Sequence, residues 1–276
     1  ISKALRKGVI VTFMGPVSRS PRPTRYQTLR RSYAYASLKL AFKSNVTVAT
    51  ISHFTAETMR QNLGIDPVVI YPGVRTDMFH PAKPSDDFRR SLGISPERLL
   101  GIWVGRGVPH KDPFTFLKAT LAFREHASDI AFIVKLGSPS PLDSQILEFI
   151  DRHQLHQLVY PVTMMPFERV PDIFASADFF VHTSPEEGFG MVVVEAMASG
   201  LPVIVADQGA PSEFVGEGGL IFRSRDDQDL AQKIALLAGD PERRARMGQA
   251  AFRIATTKFT WRSIAERYLE LYERLA

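Results

Sequence analysis

An α/β fold built on a parallel sheet is what the 276-residue sequence predicts, on three observations. Short β-branched or aromatic runs bounded by Gly, Pro or polar residues recur along the chain. Stretches with helical spacing separate them, in the βαβ rhythm of a parallel sheet covered on both faces. The composition, 45% hydrophobic and 23% charged with Gly and Pro scattered, is that of an ordinary globular enzyme and excludes a disordered, collagenous or coiled-coil chain.

Taken in order, strands are expected at 9–13, 46–51 and 68–70, each a short run of Val, Ile, Thr or Phe. The stretch 75–96 breaks the rhythm with Pro81, Pro84 and Pro96 among polar residues, as a linker does. A complete α/β unit follows. Its strands are expected at 99–104, 130–136, 158–162, 179–182, 202–206 and 220–222, and its helices at 113–126, 142–153, 167–175, 191–199 and 226–238, with two or three more in 241–275. Three leading strands make a poor sheet alone, because parallel strands need both faces and their edges covered. The chain begins at Ile1 with neither an initiator Met nor a hydrophobic leader, so a fragment lacking an earlier part is expected. The domain plan is therefore 1–74 as the remainder of a first domain, 75–98 as linker, 99–258 as a second domain, and 259–276 as a helix returning to the first.

The absence of cysteine excludes a disulfide framework, a thiolate zinc site and a cysteine nucleophile together. No apolar run approaches the roughly 18 residues that span a bilayer. Charge is unevenly placed: residues 1–56 hold ten basic side chains and no acidic one. Interleaved with Tyr26, Tyr33, Tyr35 and Phe42, such a segment suits anionic lipid, a phosphorylated acceptor or nucleic acid, and equally a solvated helix face. Peripheral contact with an anionic membrane through a basic helix at 24–43 is expected, with the protein cytoplasmic at the inner face of that membrane and with no nucleic acid as partner.

In an open parallel sheet, ligands bind beyond the carboxyl ends of the strands. Two of those loops carry chemistry. After 99–104 comes Gly105-Arg106-Gly107-Val108-Pro109-His110-Lys111, where two cations five residues apart on a Gly-bearing loop can converge on one phosphate. After 179–182 comes Glu187-Gly188-Phe189-Gly190, leading into an apolar helix that starts at Met191 and stops at Gly200 with Pro202 behind it. The glycines admit backbone close to a ligand, and the helix start aims N–H groups and a positive dipole end at an anion. Glu195 lies about a turn and a half into that helix among Val and Ala, where a carboxylate needs a partner.

The run Glu187-Gly-Phe-Gly-Met-Val-Val-Val-Glu195 resembles the paired-glutamate signature of the retaining GT-B glycosyltransferases of family 4, the glycosyl transferases group 1. Residues 104–111 resemble that family's donor diphosphate loop, 70–79 its interdomain strand and turn, and 209–213 its post-strand loop, so the likeness covers the chain from about Val46 onward. The resemblance implies a GT-B type fold: a complete C-terminal Rossmann-like domain that holds a nucleotide sugar, plus the back part of an N-terminal Rossmann-like domain that binds the acceptor. It implies a hexosyltransferase that uses a UDP- or GDP-sugar, a lipid or saccharide acceptor and no metal or other cofactor. By the same resemblance Arg106 and Lys111 hold the diphosphate and stabilise its growing charge, Glu187 touches sugar hydroxyls, Gly105 and the amides of Gly188, Phe189, Gly190 and Met191 lie near sugar and phosphate, and Glu195 accepts from the ribose. Two departures stand out. Met14 occupies the place where the family usually has His, and Arg75 replaces a common Asp. A non-catalytic nucleotide-sugar-binding remnant is the alternative reading.

Other motifs carry less. Asp227-Gln-Asp229 matches an acidic metal pattern of a different glycosyltransferase fold, but also suits the start of a helix. His182 ends a strand just before the glutamate loop, and Ser184 follows it as a capping or site-lining residue. No strand is followed by Gly-x-Gly-x-x-Gly, and no Walker loop or Gly-x-Ser-x-Gly elbow occurs.

Overall fold

The computed structural model describes residues 9–15, 46–81, 86–137, 139–163 and 165–275. The chain divides into two compact units, Ile1–Gly73 with Trp261–Ala276, and Val74–Thr260. The basic segment 24–43 expected to meet a membrane lies outside the described residues. No helix among the described residues is long and apolar enough to cross a membrane.

In the first unit β1 (Val9–Phe13), β2 (Val46–Thr50) and β3 (Val68–Val69) form a parallel sheet in that order. Between β2 and β3 runs α1 (His53–Leu63), a helix that hydrophobic spacing does not announce. Its start is a reciprocal cap: Ser52 Oγ accepts from Thr55 N and Thr55 Oγ1 accepts from Ser52 N, so Thr stands where the usual signature has Glu or Gln. The final helix, which the sequence places at 259–276, spans Trp261–Glu273 and packs Ile264 and Leu271 against Ile70 within this unit. Met14, which the resemblance sets where a His is usual, is 70% exposed.

The second unit is a six-stranded parallel sheet, built from β4 (Leu99–Gly105), β5 (Ile130–Leu136), β6 (Val159–Val162), β7 (Phe179–His182), β8 (Val203–Ala206) and β9 (Gly219–Phe222). Its strand order is β6-β5-β4-β7-β8-β9, so the order reverses at β4 and β7. That reversal is where open α/β sheets bind ligands. β5 is buried at every position, which explains its uninterrupted apolar run. One face carries the main core, in which Trp103, Phe132, Val134, Phe179 and Val181 pack under α3 (Pro113–Thr120), α4 (Asp143–Arg152) and α7 (Asp227–Ala238). Burying each such large side chain contributes about 1.5–3 kcal/mol. The helices α5 (Val170–Ser176), α6 (Met191–Ala198) and α8 (Pro241–Lys258) complete the unit.

Part of the stretch expected as a linker is tied to the second unit. Residues 86–91 form a short helix, α2 (Asp86–Ser91), and its buried Arg89 reaches the segments that lead into β4 and β7. Arg89 donates from Nε to Ser176 O at 2.7 Å, to the carbonyls of Pro96 and Arg98 at 3.0 and 2.6 Å, and to Asp178 Oδ2 at 2.8 Å. That same carboxylate oxygen accepts from Leu100 N at 2.7 Å, at the start of β4.

Candidate functional site

The loop after β4 turns through a single 3₁₀ turn at Pro109–Lys111, and Asp112, in the left-handed region at φ 47°, caps α3 by accepting from Thr115. Two hydroxyls just past β7 staple this loop in place. Thr183 Oγ1 lies 2.9 Å from Lys111 O and 2.8 Å from Asp112 O, and itself accepts from Trp103 Nε1 at 2.9 Å. Ser184 Oγ donates to His110 O at 2.6 Å, so Ser184 serves as a tie between loops. Both hydroxyl residues are buried. Nothing in the sequence marks Thr183; the one available signal is a hydroxyl pair at a strand's carboxyl end.

The glutamate loop is held from its other side. Ala210 N donates to Glu187 O at 2.9 Å, and Gly209, at φ 88°, lies so near the backbone of Glu187 that a Cβ would come within 3.0 Å of its nitrogen. Gly190 opens α6 at φ 90°, with Glu187 and Pro211 crowding the space a side chain would need. No side chain caps this helix, so the first-turn amides of Met191 and Val192 have no carbonyl of their own helix to bond.

These two loops bring Lys111 and Glu187 into an ion pair, with both side chains less than one-fifth exposed. His182 lies behind them, buried, its Nε2 3.2 Å from Glu187 Oε2 and short of a well-aligned hydrogen bond. Burial lowers the His182 pKa, and the neighbouring Glu187 works in the opposite direction. Burial also works against the Glu187 charge, but His182 and the Lys111 ammonium outweigh it and hold this carboxyl at about 2. Arg106 is exposed, and its guanidinium has no hydrogen bond or ion pair among the described residues. It is nevertheless near the pair: the His110 pKa is lowered by burial first and then by the charges of Lys111 and Arg106, with Glu187 acting oppositely.

Glu195 is the other unusual carboxyl. Burial alone pushes it up to about 7, and no side-chain hydrogen bond or ion pair reaches it among the described residues. It is an acceptor without a donor, in a site that a hydroxyl-bearing ligand could complete. A folded-state value above the usual 4.5 means the native protein holds its proton longer than the unfolded chain, so stability falls as pH rises from about 4.5 to 7. The loss integrates to roughly 3 kcal/mol at 1.36 kcal/mol per pKa unit. Denaturant titrations at pH 5 and 7.5 should show Glu195→Gln losing less stability across that window by most of this amount; equal losses would contradict the burial of this carboxyl. Glu187 acts in the opposite direction, its contribution disappearing as pH falls from 4.5 toward 2.

Of the remaining expected residues, Gly105 ends β4, Gly188 is buried in the glutamate loop, and Met191 begins α6 with its side chain 37% exposed. The Phe189 ring belongs to the core against Phe214 and Phe259, which leaves only its backbone for the role that the resemblance implies. Asp229 accepts from Arg223 N at 2.7 Å and donates its own amide to the helix cap Asp226, which accounts for the acidic pattern structurally. Glu186 and Glu213 are exposed.

Residues 84–253 match the family model for glycosyl transferases group 1. The D-inositol 3-phosphate glycosyltransferase of Nocardia farcinica is 31% identical over 211 residues, covering 74% of this chain and 46% of the relative. The alpha-maltose-1-phosphate synthase of Mycolicibacterium smegmatis is 27% identical, covering 84% of this chain and 64% of the relative. The chain spans about half the length of the first curated relatives it matches. Among solved structures, Anabaena HepE in complex with UDP superposes with a TM-score of 0.82 at 24% identity, covering 99% of this chain and 74% of that one, a likeness that shows the fold. The α/β architecture with parallel sheets is thus of GT-B type, and the chain belongs to the glycosyl transferases group 1 family.

Proposed function

We propose that this chain is the donor-binding part of a metal-independent, retaining glycosyltransferase that moves a hexose from a UDP- or GDP-sugar to a lipid or saccharide acceptor. The observation that carries the reading is the meeting of Lys111 and Glu187, from separate loops, beside the uncapped start of α6. A cation and free amides suit a diphosphate, while a carboxylate held ionised at about 2 suits the hydroxyls of the attached sugar. In the reaction the bond from the anomeric carbon to the diphosphate oxygen breaks. The acceptor oxygen bonds that carbon from the same face, and the acceptor proton leaves with the diphosphate. Arg106, which has no partner among the described residues, and Lys111 stabilise the charge that grows on the leaving group, an interaction stronger in the transition state than in the ground state. For Lys111 this requires exchanging Glu187 for phosphate oxygens. Glu195 accepts from the ribose hydroxyls. The family membership and the sugar-transferring relatives support the reading.

The exposed Met14, where the family usually has His, favours a second reading, a binding remnant without turnover. One experiment separates the two: calorimetric binding of UDP and GDP alongside hydrolysis or transfer from UDP- and GDP-hexoses by the intact gene product, with and without chelator. Binding with chelator-insensitive turnover is expected. Binding without turnover would favour the remnant, and no binding would overturn both.

A further inference from the structure

β5 ends in a lysine that the proposed mechanism does not use. In β5, Ile130, Phe132, Val134 and Leu136 belong to the main core together with Trp103 and Val181, so Lys135 projects from the opposite face of the sheet, as do Val104 and His182. Lys135 pairs in register with Val104 on β4 and Val162 on β6, and Trp103 pairs with Val181 on β7. Val162, Lys135, Val104 and His182 therefore form one row across the carboxyl ends of four strands. At one end of the row His182 contacts Glu187. Lys135 stands two strands away, roughly 9.5 Å at 4.7–4.9 Å per strand.

Lys135 is 8% exposed and makes no ion pair or hydrogen bond among the described residues. Arg89 and Lys111, the other largely buried cations described above, both have partners. Burial with nothing to offset it lowers the Lys135 pKa. A lysine whose stem is packed and whose ammonium lacks an acceptor is an incomplete arrangement. The diphosphate already has Arg106, Lys111 and the α6 amides. What remains to lie over β5, on the far side of those cations from Glu187, is the nucleoside end of the ligand.

We propose that Lys135 determines base specificity, donating from its ammonium to the exocyclic carbonyl oxygen of a keto base, uracil O4 or guanine O6; the inference rests on the nucleotide-sugar reading above. An ammonium has three donors and no acceptor, so it welcomes a carbonyl and opposes the amino group that cytosine and adenine carry at the same ring position. The test is calorimetric binding of two matched pairs, UDP with CDP and GDP with ADP, to the chain and to its Lys135→Met and Lys135→Gln variants. Expected is a keto preference of about tenfold or more in at least one pair, lost in Lys135→Met and partly kept in Lys135→Gln, which retains a donor. Uniform weakening of all four nucleotides by Lys135→Met would assign the lysine to the phosphates or to folding and overturn the proposal. So would unchanged preference in both variants. Failure of the unaltered chain to bind any of the four would instead remove the nucleotide-sugar reading itself.

Discussion

Lys111→Ala is expected to cut turnover about a hundredfold or more, and Arg106→Ala to do the same, the scale of removing one donor aimed at developing charge. The two losses have different structural backgrounds. Arg106 is exposed and has no hydrogen bond or ion pair among the described residues, so its removal leaves the fold and the glutamate loop as they are. Lys111 is the ion-pair partner of a buried carboxylate, so its removal leaves Glu187 with only His182 and raises the pKa of that carboxyl. In both variants the loss should fall mainly on kcat, because the diphosphate gains its charge as the sugar departs. Steady-state kinetics with saturating donor checks this. Wild-type rates in both variants would show that neither cation meets the leaving group.

The largest effect on stability is expected from Arg89→Met. This guanidinium satisfies three backbone carbonyls and one carboxylate oxygen, tying α2 to the strand starts of β4 and β7. Methionine fills the volume but leaves Asp178 without its cation and the carbonyls without their donor. Breaking a buried pair on one side costs roughly 3–5 kcal/mol, a large part of the stability of an ordinary domain. Denaturant unfolding of the variant measures it. A loss below about 1 kcal/mol would mean that residues 86–98 are held by other contacts.

Much of this was legible in the sequence, and the reasons are particular. Strands 130–136 and 179–182 coincide with the observed elements end to end, because buried parallel strands are continuous apolar runs with sharp polar boundaries, and 9–13 coincides as well although β1 is only partly buried. The expected helix 113–126 contains α3 and then a 3₁₀ stretch at Leu121–His126, the tighter coil in which helical chains commonly end. By contrast α1 is hidden because Thr55 does the work of a capping Glu, and α2 because six residues, mostly polar, show no period. The site divides in the same way. Local pattern marks both loops, since glycine beside charge is visible in a window of ten residues. The Lys111–Glu187 contact spans 76 positions, and the Thr183 and Ser184 staples span more than 70, so only the folded sheet reveals them. His182 becomes meaningful by the same route.

The most direct measurement is a crystal structure of the chain with a bound nucleoside diphosphate. Expected is the Lys111 ammonium withdrawn from Glu187 and, with the Arg106 guanidinium and the amide of Met191, within hydrogen-bond reach of phosphate oxygens. A bound nucleotide with Lys111 still on Glu187 and Arg106 turned to solvent would contradict it.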